Sequence, residues 1–205
     1  MKILVIDDHV VVREGVQRLL ATLPDIEVIE VEDARDALPA YRKSLPSLVI
    51  LDINLDGSSG LEFLQRLLVH DKSARIIMFT MHAEPSYVAR AIRAGAMGYV
   101  SKSSPADELI EAVNKVAAGE RYIARALANS LASGPNPSED PYHSLSNREV
   151  EILRLLGEGK SVAQIAATFG IAYKTVANSC TALKTKLGLQ RTADLIRLSI
   201  ERRDR

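Results

Sequence analysis

Cysteine is nearly absent from this chain, with Cys180 alone among 205 residues. A lone thiol builds no disulfide framework within the chain and no thiolate cluster for zinc, so those scaffolds are excluded and redox chemistry is not expected. Long apolar runs are missing as well. No stretch approaches the roughly 20 apolar residues of a membrane span. The opening MKILVIDD meets charge after four apolar residues, too few for the core of a signal peptide. A cytoplasmic protein without a membrane partner is the expectation. Net charge is also absent, at zero, yet it is unevenly spread. Residues 1–143 carry 15 Lys and Arg against 20 Asp and Glu, whereas residues 144–205 carry 11 against 6. An acidic first part and a basic last part fit a chain of which only the smaller part meets nucleic acid.

What the chain does have is enough length for two small domains and an ordinary 47% hydrophobic content. Short β-branched stretches recur at residues 3–6, 27–31, 48–51, 75–79 and 98–100 and read as strands. Between them, apolar residues fall at helical spacing: Val12, Val16, Leu19 and Leu20; Leu61, Leu64, Leu67 and Leu68; Val88, Ala91 and Ile92; Leu109, Val113 and Val116. Pro105 suits the first turn of the last of these helices. Five βα units in succession predict an α/β fold, a doubly wound five-stranded parallel sheet with helices on both faces. Ligands in such sheets bind beyond the carboxyl ends of the strands. The run SGPNPSEDP, residues 133–141, has linker composition, and four helical segments follow it. The reading is a first domain at 1–121, a linker at 122–143 and an all-α domain at 144–205.

The strand ends carry a coherent chemical set. Asp7 and Asp8 follow the first strand, Asp52 closes the third, Thr80 closes the fourth and Lys102 follows the fifth. Carboxylates from two strands suit a hard cation such as Mg2+. One carboxylate is then left as a nucleophile toward a phosphoryl group, with metal and lysine neutralising the transferring oxygens. The stretch LDINLDGSSG at 51–60 also opens like a calcium loop through Asp52, Asn54, Asp56 and Gly57. That reading fails because Phe63 stands where the bidentate glutamate belongs and a strand precedes the loop.

The series Asp7, Asp8, Asp52, Thr80, Lys102, with Tyr99 three residues before the lysine, resembles the receiver domain of two-component response regulators. The resemblance implies that Asp52 is the phosphoacceptor, with Asp7, Asp8, Asp52 and the backbone of Asn54 holding Mg2+. It also implies that Thr80 and Lys102 bind phosphoryl oxygens, and that Tyr99 turns inward as Thr80 moves toward the phosphate. Packing at the sheet edge is the simpler alternative for Tyr99. Two positions depart from the family, where proline is usual at Asp56 and frequent at Ser103. Asp56 either tunes cation and phosphate retention or is a solvated loop residue. His82 lies where receivers control water access to the acyl phosphate, its simpler reading being a surface histidine. His9 is either in the outer shell of the metal or a helix cap.

In the last part, Ser146 with Glu149 and Ser161 with Gln164 form capping boxes ahead of apolar stripes. In the following segment Val176, Cys180, Leu183 and Leu187 share one helical face. The opposite stripe holds Lys174, Ala177, Asn178, Thr181, Lys184 and Thr185, small, amide and lysine side chains suited to a major groove. Residues 144–200 resemble the LuxR-type helix-turn-helix of NarL/FixJ-family regulators. That implies a supporting helix at 161–169 and a recognition helix at 173–187, with Lys174, Thr175, Ala177, Asn178, Thr181 and Lys184 touching double-stranded DNA. Ala172 forfeits the side-chain N-cap usual there, at a cost of about 1 kcal/mol. Together the two resemblances imply a phosphorylation-dependent transcription regulator, served by a sensor histidine kinase and dimeric when active. The alternatives are a regulator controlled without phosphate and a phosphatase with an aspartate nucleophile, although such enzymes carry D-x-D and this chain has Asn54.

Overall fold

The computed structural model describes residues 1–55, 58–133 and 145–203. Two compact units divide the chain, Met1–Gly134 and Pro135–Arg205. In the first, β1 (Lys2–Ile6), α1 (Val10–Leu20), β2 (Glu27–Val31), α2 (Ala34–Ser44) and β3 (Leu48–Leu51) lead to two short strands, β4 (Asn54–Leu55) and β5 (Ser58–Ser59). Then come α3 (Gly60–His70), β6 (Ile76–Thr80), α4 (Pro85–Ala94), β7 (Gly98–Ser101), α5 (Ala106–Ala117), β8 (Tyr122–Ile123) and α6 (Arg125–Ser133). The main sheet runs β2-β1-β3-β6-β7-β8 with every pairing parallel, and β4 and β5 form an antiparallel pair of their own.

Strands β1 and β3 are apolar at every position but Lys2, because a parallel sheet covered on both faces has no wet side. Ile3 to Ile6 and Leu48 to Leu51 are all fully buried. Helices α1 and α5 pack together, whereas α2, α3 and α4 pack in a row, as the doubly wound arrangement requires. Register then gathers the strand ends. Ile6 lies opposite Leu51 and Leu51 opposite Met78, while Thr80 lies opposite Ser101. The peptide N–H of Asp52 donates to the Ile6 carbonyl at 3.0 Å, and that of Lys102 to the Thr80 carbonyl at 2.8 Å. Four strand ends are thereby fixed side by side by main-chain bonds.

Three readings need correction. The sheet has a sixth strand, and residues 122–133 of the expected linker fold onto the first unit as β8 and α6. The Tyr122 N–H donates to the Met97 carbonyl at 2.9 Å, that of Ala124 to the Tyr99 carbonyl at 3.0 Å, and Leu127 is buried on α6, which packs against α4. Pro105 is the N-cap of α5 rather than its first helical residue; its carbonyl accepts from the Glu108 N–H, and no intrahelical bond calls on an N–H at that position. On α1, buried positions include Arg13 beside Val16 and Leu20, whereas Val12 and Leu19 are only half-buried. Residues 134–143 of the expected linker and Asp56 lie outside the described residues.

Among its described residues the second unit contains α7 (Asn147–Gly157), α8 (Val162–Thr168), α9 (Tyr173–Leu187) and α10 (Thr192–Arg203), the expected four helices. Both capping boxes form, Ser146 with Glu149 and Ser161 with Gln164. Val150, Ile152, Leu153, Ile165, Val176, Leu183 and Leu195 make the core. Gly170 turns the chain between α8 and α9 with φ at +60°, a conformation that a Cβ disfavours.

Candidate functional site

Asp7 and Asp52 are buried at the ends of β1 and β3, and Lys102 lies between them. Its Nζ is 2.6 Å from Asp7 Oδ2 and 2.7 Å from Asp52 Oδ2. Burial alone would lower the Lys102 pKa, but Asp52 and Asp7 outweigh it and hold the ammonium above its ordinary value. The other oxygen of Asp52, Oδ1, is buried and has no hydrogen-bond partner among the described residues. Asp8 is half-buried beside them. His9 is the N-cap of α1 but makes no side-chain cap bond; its Nδ1 instead faces Asp8 Oδ1 at 2.7 Å and Asp7 Oδ1 at 3.3 Å. Ligand atoms of Asp7, Asp8, His9 and Asp52 all lie within 4.8 Å of one another. Three carboxylates in one place, with Oδ1 of Asp52 unpartnered among the described residues, fit a hard divalent cation.

Two residues beyond the sequence reading support this cluster. Arg13 donates from Nη1 to the Asp7 carbonyl at 2.7 Å and is held by Glu30 and Glu32 at 3.3 and 3.4 Å. Its single signal in the sequence was a cation inside a helix that must bury one face. Gly60 is the second. A Cβ there would stand 1.8 Å from the Asp52 carbonyl oxygen, and the Gly60 N–H donates to the Ile53 carbonyl at 2.7 Å. The start of α3 is thus pressed against the loop that carries Asp52.

His82 is buried, which corrects the reading of a surface histidine. Its ring stacks on Tyr87 with centroids 4.2 Å apart, and its Nε2 is 3.2 Å from Asn54 Oδ1. Glu84 lies 3.6 Å from Nδ1. The His82 N–H reaches Thr80 Oγ1 at 3.4 Å, and the Tyr99 hydroxyl donates to the His82 carbonyl at 2.9 Å. Tyr99 is therefore turned inward and fully buried, and it is not at the sheet edge because β8 lies outside it. Burial, with Glu84 and Asp52 nearby, keeps its phenol well above the ordinary range and so protonated as a donor. Asn54, Thr80, His82 and Tyr99 form one connected chain of polar contacts beside the acids.

In the second unit, α9 buries Val176, Cys180 and Leu183, with Leu187 half-buried at its end. Burial lifts the Cys180 thiol above its ordinary pKa against the pull of Lys184, so the thiol is not primed for reaction. Lys174, Thr175, Asn178 and Thr181 are exposed, and Ala177 and Lys184 are half-buried. Ala172 caps the helix without a side-chain bond, as its identity required. Lys186 Nζ meets Glu149 Oε2 at 2.8 Å, tying α9 to the capping box of α7.

Two family models match the chain. One, described as the response regulator receiver domain, covers residues 3–114, and the other, described as bacterial regulatory proteins of the luxR family, covers 143–199. The transcriptional activator protein ExaE of Pseudomonas putida is 37% identical over 98% of this chain and 96% of its own length. Response regulator UvrY of Escherichia coli K12 is 32% identical over 98% and 94%. The chain is a response regulator of the NarL/FixJ family. Family membership makes this regulator a DNA-binding transcription factor with a receiver domain, and it sets the phosphatase reading aside. Among solved structures, a LuxR-family two-component response regulator from Aurantimonas sp. SI85-9A1 is 38% identical, covers 64% of this regulator and 95% of that chain, and superposes with a TM-score of 0.63. RcsB of Salmonella enterica serovar Typhimurium, bound to promoter rprA in the presence of the phosphomimetic BeF3-, is 25% identical with a TM-score of 0.70, covering 96% and 97%.

Proposed function

We propose that Asp52 accepts a phosphoryl group from the phosphohistidine of a sensor kinase and that this event controls promoter binding by α9. The observation that carries the proposal is the placement of Lys102 between Asp7 and Asp52 while Asp52 keeps one buried oxygen unpartnered. An Asp52 oxygen attacks phosphorus, the new O–P bond forms as the P–N bond breaks, and the bonding pair leaves with the imidazole. Lys102 already sits 2.7 Å from Asp52 and would follow the charge onto a phosphoryl oxygen. Asp7, Asp8 and Asp52, with the backbone of Asn54, would hold Mg2+. Bound there, the ion would supply further neutralisation of the transferring oxygens.

Thr80, whose Oγ1 accepts a weak 3.4 Å contact from the His82 N–H, then moves to donate its hydroxyl proton to a phosphoryl oxygen. His82 also carries the hydrogen bond from Tyr99, so a shift of Thr80 is felt by the aromatic ring and by α4. Activation brings two chains together, and paired helix-turn-helix units read half-sites about one helical turn apart. Lys174, Thr175, Ala177, Asn178, Thr181 and Lys184 are the contacts, in a cytoplasmic protein. Incubation with acetyl phosphate and Mg2+, followed by intact-mass measurement, tests the first step. Wild type should gain one hydroxylamine-labile phosphoryl group and Asp52→Asn none. An unlabelled wild type would favour control without phosphate.

A further inference from the structure

We infer that the centre of the α9 face reads an A·T base pair, with Asn178 as the adenine reader. The inference rests on α9 being the recognition helix and goes on to what that helix recognises. Its front offers few side chains able to discriminate bases. Thr181 donates its hydroxyl proton back to the Ala177 carbonyl at 3.1 Å, and Thr185 donates to the Thr181 carbonyl at 3.2 Å. Ser179 does the same toward the Thr175 carbonyl at 3.0 Å. These hydroxyls have spent their donors inside the helix, and each threonine also carries a methyl group. Asn178 is exposed, and its amide makes no hydrogen bond among the described residues. It keeps both a donor and an acceptor for a ligand.

That pair matches the N6 donor and N7 acceptor of adenine in the major groove, the bidentate contact asparagine makes there. The neighbouring chemistry points the same way. Ala177, one residue before Asn178, is small and apolar, and the Thr181 methyl lies one turn beyond; both suit the C5 methyl of thymine. Guanine is most often read by arginine or lysine, but α9 contains no arginine. Its lysines stand at the ends: Lys174 at the start, Lys184 near the finish, and Lys186 engaged by Glu149. Cations at the two ends of a face suit phosphates on either side of the groove, which position the helix without reading sequence. The middle of the face is left to one amide and two methyl-bearing side chains.

Selection of duplexes from a random pool by the full chain, treated with acetyl phosphate and Mg2+, tests this directly, followed by competition with single-base variants. Each selected half-site should hold a fixed A·T pair. Replacing that adenine by guanine, or by 7-deazaadenine, should weaken wild-type binding by roughly tenfold or more. Asn178→Ala should bind the adenine and guanine versions equally while keeping the wild-type slope of affinity against salt, because the lysines remain. A fixed G·C pair at that position, or an adenine preference that survives in Asn178→Ala, overturns the inference alone. Failure of the wild type to bind any duplex overturns the recognition-helix reading and this inference together.

Discussion

A methyl group on Gly60 would collide with the main chain of Asp52, because its Cβ would lie 1.8 Å from the carbonyl oxygen and 2.8 Å from the carbonyl carbon. Neither atom is at the end of a flexible side chain, so relief requires α3 or the Asp52 loop to move. Gly60→Ala should therefore destabilise the first unit by at least about 2 kcal/mol in denaturant melts and slow labelling of Asp52 by acetyl phosphate. Unchanged stability and labelling would show that the loop has room to spare. Arg13 illustrates the same scale from the other side. A cation at a core-facing position of α1 is tolerated because the Asp7 carbonyl and two glutamates receive it, which anchors the peptide that leads into the acid pair.

At the scale of elements, β8 and α6 convert what reads as linker into part of the receiver fold. The Tyr99 carbonyl accepts from Ala124, so the strand carrying the inward tyrosine is bonded to the segment entering α6. Leu127→Asp would place an unpaired charge against α4 and should loosen this cover. Amide exchange at Tyr122 and Ala124 should accelerate while β1 and β3 stay protected; equal protection in the variant would refute the packing role of α6. Glu149 is the corresponding joint in the second unit. Burial raises its pKa, but Lys186 and Ser146 more than compensate, and the carboxyl sits below its ordinary value. A depressed carboxyl contributes stability that is present above its unfolded pKa and is lost as pH falls through the folded one. Glu149→Gln should cost the second unit about 1 kcal/mol near neutrality and flatten its loss of stability in acid. Denaturant melts of both forms across the acid range will show whether the two curves converge there.

The legible parts of these elements were those with a strong period or a strong end signal. The strands at 27–31 and 48–51, the two capping boxes and the span of α9 stand where pattern and caps put them. Strand β8 has two residues and no period to read; its identity comes from pairing with β7, a contact invisible to local pattern. The burial of His82 depends on a ring in the first turn of α4, and that of Arg13 on Glu30 in β2 and Glu32 just after it, so composition around each position pointed the wrong way. In the acid cluster the meeting of Asp7, Asp8, Asp52 and Lys102 was readable because strand ends converge by topology. Gly60 was not, since the close approach of α3 to the Asp52 loop has no sequence mark beyond the glycine itself.

For the whole molecule, charge and architecture divide the work. The acidic part holds the cluster of Asp7, Asp8 and Asp52, and the basic part holds α9, on which Lys174 is exposed. The proposed control requires that chemistry at Asp52 change the DNA affinity of a helix in the other unit, an energetic coupling between two sites. The most direct measurement is a fluorescence-anisotropy titration of labelled promoter DNA, run with sedimentation of the same samples, with and without acetyl phosphate and Mg2+. Wild type should bind at least about tenfold more tightly when phosphorylated and shift from monomer to dimer, whereas Asp52→Asn should show neither change. Equal affinity and equal mass for wild type with and without the phosphodonor, under conditions where Asp52 is shown to be labelled, would contradict the account.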